Sequence, residues 1–293
     1  MIVSASRRTD IPAFYARWFM NRLRAGFCQV RNPFNAAQVT RVSLAPEDVT
    51  AIVFWTRDPG PLMPYLPEIL AMGHQPFFLH TLLDNPRALD PKCPRPETAL
   101  PTFASLAASL PGRVTWRYDP VVLTAATPAD WHRHTFERLA AALEGQTDRV
   151  MVSLLEPYRK IAKRMAALAE AGCGELPPER EAVLRLFVDL RDMAAARNMR
   201  LYTCSQPELF EAAGIAAGRC IDPGWIAART GRSVPDGRDP CQRGRCGCAS
   251  SKDIGAYDTC LFGCAYCYAT SSFARARAAF ARHDPDAPSL GCS

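Results

Sequence analysis

Three cysteines near the C-terminus have a spacing that could bind an iron–sulfur cluster. They are Cys260, Cys264 and Cys267, in the segment CLFGCAYC. Cysteine thiolates are the usual ligands of [4Fe–4S] clusters, and a tight loop with these spacings can offer three of them to one cluster. Three ligands leave one iron open to an outside ligand, and an open position is what distinguishes a reactive metal site from a closed structural one. The alternative is a zinc site completed by neighbouring cysteines.

This motif, with the aromatic Tyr266 before its third cysteine, resembles the signature of the radical S-adenosylmethionine superfamily. The resemblance implies that the three cysteines hold a [4Fe–4S] cluster whose open iron chelates the methionine amino and carboxylate groups of S-adenosylmethionine. It implies reductive cleavage to a 5′-deoxyadenosyl radical, with an electron from a reductant such as flavodoxin or ferredoxin. It also implies that Tyr266 lies against the adenine.

Four separated motifs resemble one bacterial domain-of-unknown-function family. They are Ser4–Pro12, Phe54–Pro59, Trp116–Pro120 and Gln242–Ala269, so the resemblance covers nearly the whole chain. It implies a fold and a cofactor class but no established reaction. In most radical S-adenosylmethionine enzymes the cysteine motif follows the first barrel strand, whereas here it follows the last. We therefore expect the tail to fold back across the open end of the barrel and place the cluster in its usual position.

The same family resemblance implies a second metal centre upstream of the motif. The positions of Cys204, Cys220, Cys246 and Cys248 are also cysteines in that family, and four thiolates could hold a second [4Fe–4S] cluster or a structural zinc. The Cys246-Gly-Cys248 spacing is tighter than a usual zinc knuckle and favours iron–sulfur. The other cysteines are interpreted as free buried thiols, namely Cys28, Cys93, Cys173, Cys241 and Cys292.

Polar residues gather where the predicted strands end. In α/β folds the active site lies at the edge of the sheet where the strands have their carboxyl ends. The resemblance places cofactor contacts at that edge. We expect the cofactor contacts to include Thr56, Arg57, Asp58, Ser153 and Arg7. We expect the catalytic groups to be Arg117, Tyr118 and Asp119. The alternative for each residue is a local turn or salt bridge, and for Tyr118 a core position.

Six short apolar runs alternate with helical patterns, and these elements must position the site. The predicted strands are Ile2–Ala5, Ala51–Trp55, Phe77–Leu79, Val114–Tyr118, Val150–Leu154 and Leu201–Cys204. The clearest helices are predicted at 129–143, 181–197 and 270–282. Alternation predicts an α/β fold with a parallel sheet, because parallel neighbours need a crossover. We expect a six-stranded partial (β/α) barrel over residues 1–207, followed by an irregular cysteine-rich segment over 208–293.

Composition is compatible with this interpretation. The chain has 293 residues, 12 cysteines and a formal charge of +6, which allows an anionic ligand without requiring nucleic acid. Most of the cysteines lie from Cys204 onward, and in a reducing compartment such density indicates metal rather than disulfides. No apolar run is long enough to cross a membrane, and the N-terminus lacks a signal-peptide pattern. We therefore expect a cytoplasmic protein.

The sequence thus predicts a radical S-adenosylmethionine enzyme whose substrate is unassigned. A small molecule, a peptide and a nucleic acid all remain open. The barrel motifs also resemble the spore photoproduct lyase branch, which acts on DNA. The rival interpretation is a zinc-stabilised, nonenzymatic nucleic-acid-binding or scaffold protein whose cysteines serve only to fold the tail.

Overall fold

The computed structural model describes residues 1–156, 158–177, 179–240, 242 and 244–291. Its strands are β1 (Ile2–Ala5), β2 (Phe27–Asn32), β3 (Asn35–Ser43), β4 (Ala51–Thr56), β5 (Pro76–Thr81), β6 (Val114–Val121), β7 (Arg149–Leu154), β8 (Arg200–Cys204), β9 (Ala216–Gly218) and β10 (Lys252–Asp253). Its helices are α1 (Ile11–Phe14), α2 (Ala16–Arg24), α3 (Leu66–Ala71), α4 (Pro96–Ser109), α5 (Ala129–Leu143), α6 (Ala162–Glu170), α7 (Arg180–Ala195), α8 (Pro207–Phe210), α9 (Pro223–Thr230) and α10 (Phe273–Ala281). Cys241 and Cys292 lie outside the described residues.

All six predicted strands form, and they lie side by side in one parallel sheet. The strand order is β10-β1-β4-β5-β6-β7-β8-β9, and each neighbouring pair is parallel. Helices connect the central strands, so the predicted α/β class with a parallel sheet is confirmed. Because the strands run the same way, their carboxyl ends share one edge, and the loops that follow them can meet there.

The two faces of the sheet are covered differently. One face packs into the main helical core, where Trp116 of β6 stacks on Phe136 of α5 with ring centroids 4.8 Å apart. The other face packs against the C-terminal segment, where Phe77 of β5 meets Trp225 of α9, also at 4.8 Å. Burial of both faces explains why the strands are nearly continuous apolar runs.

The C-terminal segment extends the sheet at both edges. Strand β9 pairs with β8, and β10 pairs with β1 through Val3↔Lys252 and Ser4↔Asp253. The carboxylate of Asp253 accepts hydrogen bonds from Ser4 Oγ (3.0 Å), Ser6 Oγ (2.6 Å) and the Arg7 amide (2.7 Å). These bonds attach the tail to the loop that follows the first strand.

The region after Pro207 is more regular than the sequence suggested. Helix α9 begins at Pro223, where the Asp222 side chain accepts from the Trp225 amide, and ends before Gly231, which has a φ of 67°. This is ordinary capping chemistry, with Pro at the start and Gly after the end. In the described part of the chain, no helix combines the length and the apolar character needed to cross a membrane.

A β-hairpin between α2 and β4 was not predicted. Strands β2 and β3 pair antiparallel and form a separate two-stranded sheet. Asn32 pairs with Asn35, and the Asn32 side chain accepts from the Phe34 amide at 2.9 Å, so Pro33 and Phe34 form the turn. Cys28 of β2 and Val42 of β3 pack into the main hydrophobic core.

Candidate functional site

The cysteine loop of residues 260–267 packs against the segments that follow β1, β4 and β5. Cys260 is close to the segment after β1, where the Tyr15 hydroxyl donates to the carbonyl of the adjacent Thr259 at 2.7 Å. Burial, and next the neighbouring thiol of Cys267, raise the pKa of Cys260. On the β5 side, the Ala265 amide donates to the Leu89 carbonyl at 2.9 Å. A loop at the end of the sequence thus lies beside the first strand of the sheet.

Asp10 connects the segment after β1 to the end of β4. Its carboxylate caps α1 by accepting from the Ala13 amide at 3.0 Å. It also accepts from Thr56 Oγ1 at 2.7 Å and from the Arg57 amide at 2.6 Å. Burial raises the pKa of Asp10 to about 7, and these hydrogen bonds act against that rise. Two of the predicted cofactor contacts, Thr56 and Arg57, are therefore held beside the cysteine loop.

Tyr266 is fixed by a buried polar network. Its hydroxyl donates to Asp90, with both carboxylate oxygens at 2.8 Å, and accepts from Arg57 Nη2 at 2.5 Å. The Asn85 side-chain amide lies 2.9 Å from Asp90 Oδ2 and 3.3 Å from the Tyr266 hydroxyl. Arg57 also pairs with Asp90 at 3.3 Å. Desolvation raises the pKa of Tyr266 well above its usual value, so the phenol stays protonated.

Cys93 joins the site, although the sequence analysis interpreted it as a free buried thiol. Its Sγ lies 3.5 Å from Cys264 Sγ, and both side chains are buried. The hydrogen bond with Cys93, together with burial, raises the pKa of Cys264. Ligand atoms of Asp90, Cys93 and Cys264 all lie within 4.8 Å of one another, so these residues form a group that could hold a metal ion. The only local signal was the Asp-x-x-Cys spacing after β5.

Arg164 of α6 holds the far end of the cysteine loop. Its Nη2 donates to the Cys267 carbonyl, and its Nη1 donates to the Thr270 carbonyl at 2.7 Å. Cys267 Sγ lies 3.8 Å from Thr270 Oγ1. The loop is therefore anchored at its start by the segment after β1 and at its end by α6. Sequence patterns did not identify Arg164 because it lies on a surface helix more than a hundred residues away.

A second group of buried cysteines contains Cys204, Cys220, Cys246 and Cys248. Cys204 Sγ and Cys220 Sγ are 3.7 Å apart, and the Ile221 amide donates to Cys248 Sγ at 3.4 Å. Hydrogen bonds from Cys220 and then Cys246, with the nearby Arg7 guanidinium, lower the pKa of Cys248. Four buried sulfur atoms from one group are the kind of donor set that a thiophilic metal takes. The four side chains come from the end of β8, the segment after β9 and the segment before β10.

Two guanidinium groups lie over Trp55, near this four-cysteine group. Arg7 and Arg117 each lie 4.9 Å from the Trp55 ring centroid. Arg7 donates to Ser251 Oγ at 3.1 Å, and Arg117 forms an ion pair with Asp119. Both cations act electrostatically on cysteines of the group, Arg7 on Cys248 and Arg117 on Cys220. They can therefore offset negative charge on a thiolate centre.

The remaining predicted residues divide between the site and the helical core. Ser153 donates to Asp119, so these two side chains join Arg117 at the strand ends. Asp58 accepts from the Gly60 amide at 3.0 Å and stabilises a local turn. The Tyr118 side chain lies on the opposite face of the sheet from Arg117. It is fully buried in the helical core, where its hydroxyl lies 2.8 Å from His132 Nδ1.

An open cavity of about 610 Å³ lies at the ends of β7 and β8. Among its lining residues are Ser205 and Arg245, which are adjacent in sequence to Cys204 and Cys246. Glu156, Arg180 and Gln206 complete its polar lining. The cavity therefore borders the four-cysteine group, and its size is in the range of small-molecule sites.

Comparison with known proteins identifies one family, and the description of that family names no activity. A family model described as "Domain of unknown function (DUF1848)" matches residues 2–269. The match covers the parallel sheet and both cysteine groups. No curated protein matches the chain.

Proposed function

The chain belongs to the DUF1848 family, whose description carries no activity, and we propose from its own residues that it is a radical S-adenosylmethionine enzyme. In this proposal Cys260, Cys264 and Cys267 hold a [4Fe–4S] cluster with one open iron. When bound, that cluster supplies the electron that cleaves S-adenosylmethionine to a 5′-deoxyadenosyl radical. Hydrogen abstraction from a bound substrate is the first committed step.

The observation that carries the proposal is the location of the cysteine loop. In the superfamily this motif follows the first strand, and here a loop from the other end of the chain lies beside that strand's end. The Tyr15 hydroxyl donates to the Thr259 carbonyl, next to Cys260, at 2.7 Å, and the Tyr268 hydroxyl donates to the Arg7 carbonyl at 3.1 Å. These contacts support the proposal that tertiary structure compensates for the late position of the motif in the sequence.

We propose further that β1 and β4–β8 form a partial (β/α) barrel. Six parallel strands in chain order with helical crossovers support this. Residues from β1, β4, β5 and β7 also join one apolar cluster with the tail, as expected for a curved sheet with a filled interior. The members of that cluster from these strands are Ile2, Ala51, Val53, Phe77, Leu79 and Met151.

In this proposal, side chains of the protein bind and orient S-adenosylmethionine and the substrate. The Asp90–Arg57 pair holds Tyr266 in one position, and its ring is proposed to lie against the adenine. Thr56, Arg57 and Asp58 follow β4 beside the loop and are proposed to contact the methionine portion. Arg117, Asp119 and Ser153 form a connected polar set at neighbouring strand ends and are proposed to face ribose, carboxylate or substrate.

The four-cysteine group is proposed to hold a second cluster, with structural zinc as the less favoured occupant. Four buried thiols that come together from separate segments fit either metal by their donor chemistry. Arg7 and Arg117 are positioned to compensate the charge of a four-thiolate centre. The electron donor is proposed to be a flavodoxin or ferredoxin.

Anaerobic reconstitution with iron and sulfide tests the proposal. We expect about eight irons per chain if both clusters load, an electron paramagnetic resonance signal that changes when S-adenosylmethionine is added, and 5′-deoxyadenosine after reduction with dithionite. Cys267→Ser should lower the iron content and abolish the product, whereas the matched Cys173→Ser variant should keep both.

Two outcomes would contradict the proposal. Full iron occupancy without 5′-deoxyadenosine would mean that the clusters are present but the mechanism is wrong. A colourless protein that binds zinc and is stable in air would support the zinc-stabilised scaffold instead. The substrate class is tested separately, because affinity for DNA or RNA falls steeply with added salt, while affinity for a small metabolite does not.

A further inference from the structure

Asp90, Cys93 and Cys264 bring three ligand atoms together at a place where the proposed cluster uses only one of them. The two thiols are 3.5 Å apart, and the carboxylate lies within 4.8 Å of both. All three side chains are at least nine-tenths buried. Cys93 and Asp90 come from the loop after β5, whereas Cys264 comes from the C-terminal loop, so the group exists only in the folded chain.

The surroundings of Asp90 resemble those of a metal-binding carboxylate. Ligating carboxylates are themselves hydrogen-bonded by neighbouring groups that fix their orientation. Tyr266 donates to Asp90, and Asn85 and Arg57 donate to its Oδ2. Among the described residues Oδ1 has Tyr266 as its partner, which leaves this oxygen lone-pair capacity for a metal. The Arg57 cation also offsets the negative charge that two thiolates and a carboxylate would bring.

We propose that, in the cluster-free protein, Asp90, Cys93 and Cys264 bind a thiophilic divalent cation such as Zn²⁺. Two thiolates and one carboxylate oxygen suit Zn²⁺ or Co²⁺, with water completing a tetrahedral shell. Binding releases the two thiol protons to solvent, so the affinity rises with pH. Cys93 is then a metal ligand rather than a free buried thiol.

Cys264 belongs both to this site and to the proposed cluster. Cys264 cannot ligate a [4Fe–4S] cluster and a zinc ion at once, so the two occupants exclude each other. This part of the inference rests on the proposed function. Zinc bound to Asp90, Cys93 and Cys264 occupies the Cys264 thiolate and therefore slows cluster loading. Cluster loading in turn releases Cys93 from the metal.

A Co²⁺ titration of the reduced, cluster-free protein tests the site. The four-cysteine group is first removed from the readout by Cys246→Ser and Cys248→Ser. In this background we expect thiolate-to-cobalt charge-transfer absorption with about one Co²⁺ bound. Adding Cys93→Ser should weaken Co²⁺ binding by at least about tenfold, while adding the control Cys173→Ser should not. Equal affinities in these two variants would overturn the proposal.

The unmutated chain gives a second test that does not depend on how the variants fold. Slow alkylation under native conditions, followed by peptide mass analysis, reports each thiol. Zn²⁺ should protect Cys93 together with Cys264 and leave the rate at Cys28 unchanged. Unprotected Cys93 would refute the inference even if clusters form normally. Conversely, protection of Cys93 in a protein that never assembles a cluster would support the site while the proposed function fails.

Discussion

Both carboxylate oxygens of Asp90 lie 2.8 Å from the hydroxyl oxygen of Tyr266. The two residues are 176 positions apart in the chain. Asp90 belongs to the loop after β5, and Tyr266 lies inside the cysteine motif. Their contact therefore orients the motif relative to the parallel sheet, and Arg57 from the end of β4 joins both.

We expect Asp90→Asn to lower the free energy of unfolding by about 3 kcal/mol, because it leaves the buried Arg57 cation without its partner. Urea denaturation at neutral pH measures the change. Asp84→Asn is the matched control, since Asp84 pairs with Arg95 and Arg138 at a more exposed position. It should cost less than about 1 kcal/mol. Similar losses in both variants would show that the Asp90 network contributes nothing special.

Tyr266→Phe and Tyr266→Leu should separate the hydroxyl from the ring. Phenylalanine leaves Asp90 and Arg57 without the hydroxyl, so we expect a stability loss of about 1–3 kcal/mol. It keeps the ring, so the cluster-loaded protein should bind S-adenosylmethionine nearly as well. Leucine removes the ring and should weaken that binding by about tenfold. Isothermal titration under anaerobic conditions provides the affinities, and equal binding by both variants would argue against an adenine contact.

Gly255→Ala should disturb the docking of the tail on the first strand. A Cβ at Gly255 would overlap Ser6 Oγ and lie 2.6 Å from Ser6 Cβ, so the segments must separate. Overpacking of this kind costs about 1–3 kcal/mol. Limited proteolysis should then cut the tail faster. Gly237→Ala serves as the control, because a Cβ there meets nothing within 4 Å. Identical cleavage of both variants would contradict the predicted role of this close contact.

The contribution of His132 to stability should be lost when the pH falls from about 6.5 to 4. Burial lowers the pKa of His132 to about 4, whereas an unfolded histidine titrates near 6.5. Between these pH values His132 binds a proton in the unfolded chain but not in the folded chain, so acidification favours unfolding. The contribution of His132 is roughly 3 kcal/mol. Denaturation at several pH values should show a smaller slope for His132→Gln, and an unchanged slope would contradict this assignment.

Part of the site was recognisable from residue alternation that the sequence interpretation did not use. Successive side chains of a strand point to opposite faces. In β6 this places Arg117 on the tail side and Tyr118 in the helical core, which is where the structure has them. Grouping Arg117, Tyr118 and Asp119 as one catalytic set ignored this period. Cys93 is a different case, because its partner Cys264 is far away in the chain and no local pattern pairs them.

The sequence by itself determined the six parallel strands, the main helices and the three-cysteine loop motif. These features depend on short-range chemistry, namely apolar runs that end at Pro or polar residues and cysteines a few positions apart. Only the tertiary structure decided that β10 lies beside β1, that Cys204 contacts Cys220, and that Cys264 contacts Cys93. Such contacts join segments that are adjacent in space and remote along the chain, so they depend on packing of the whole sheet rather than on local pattern.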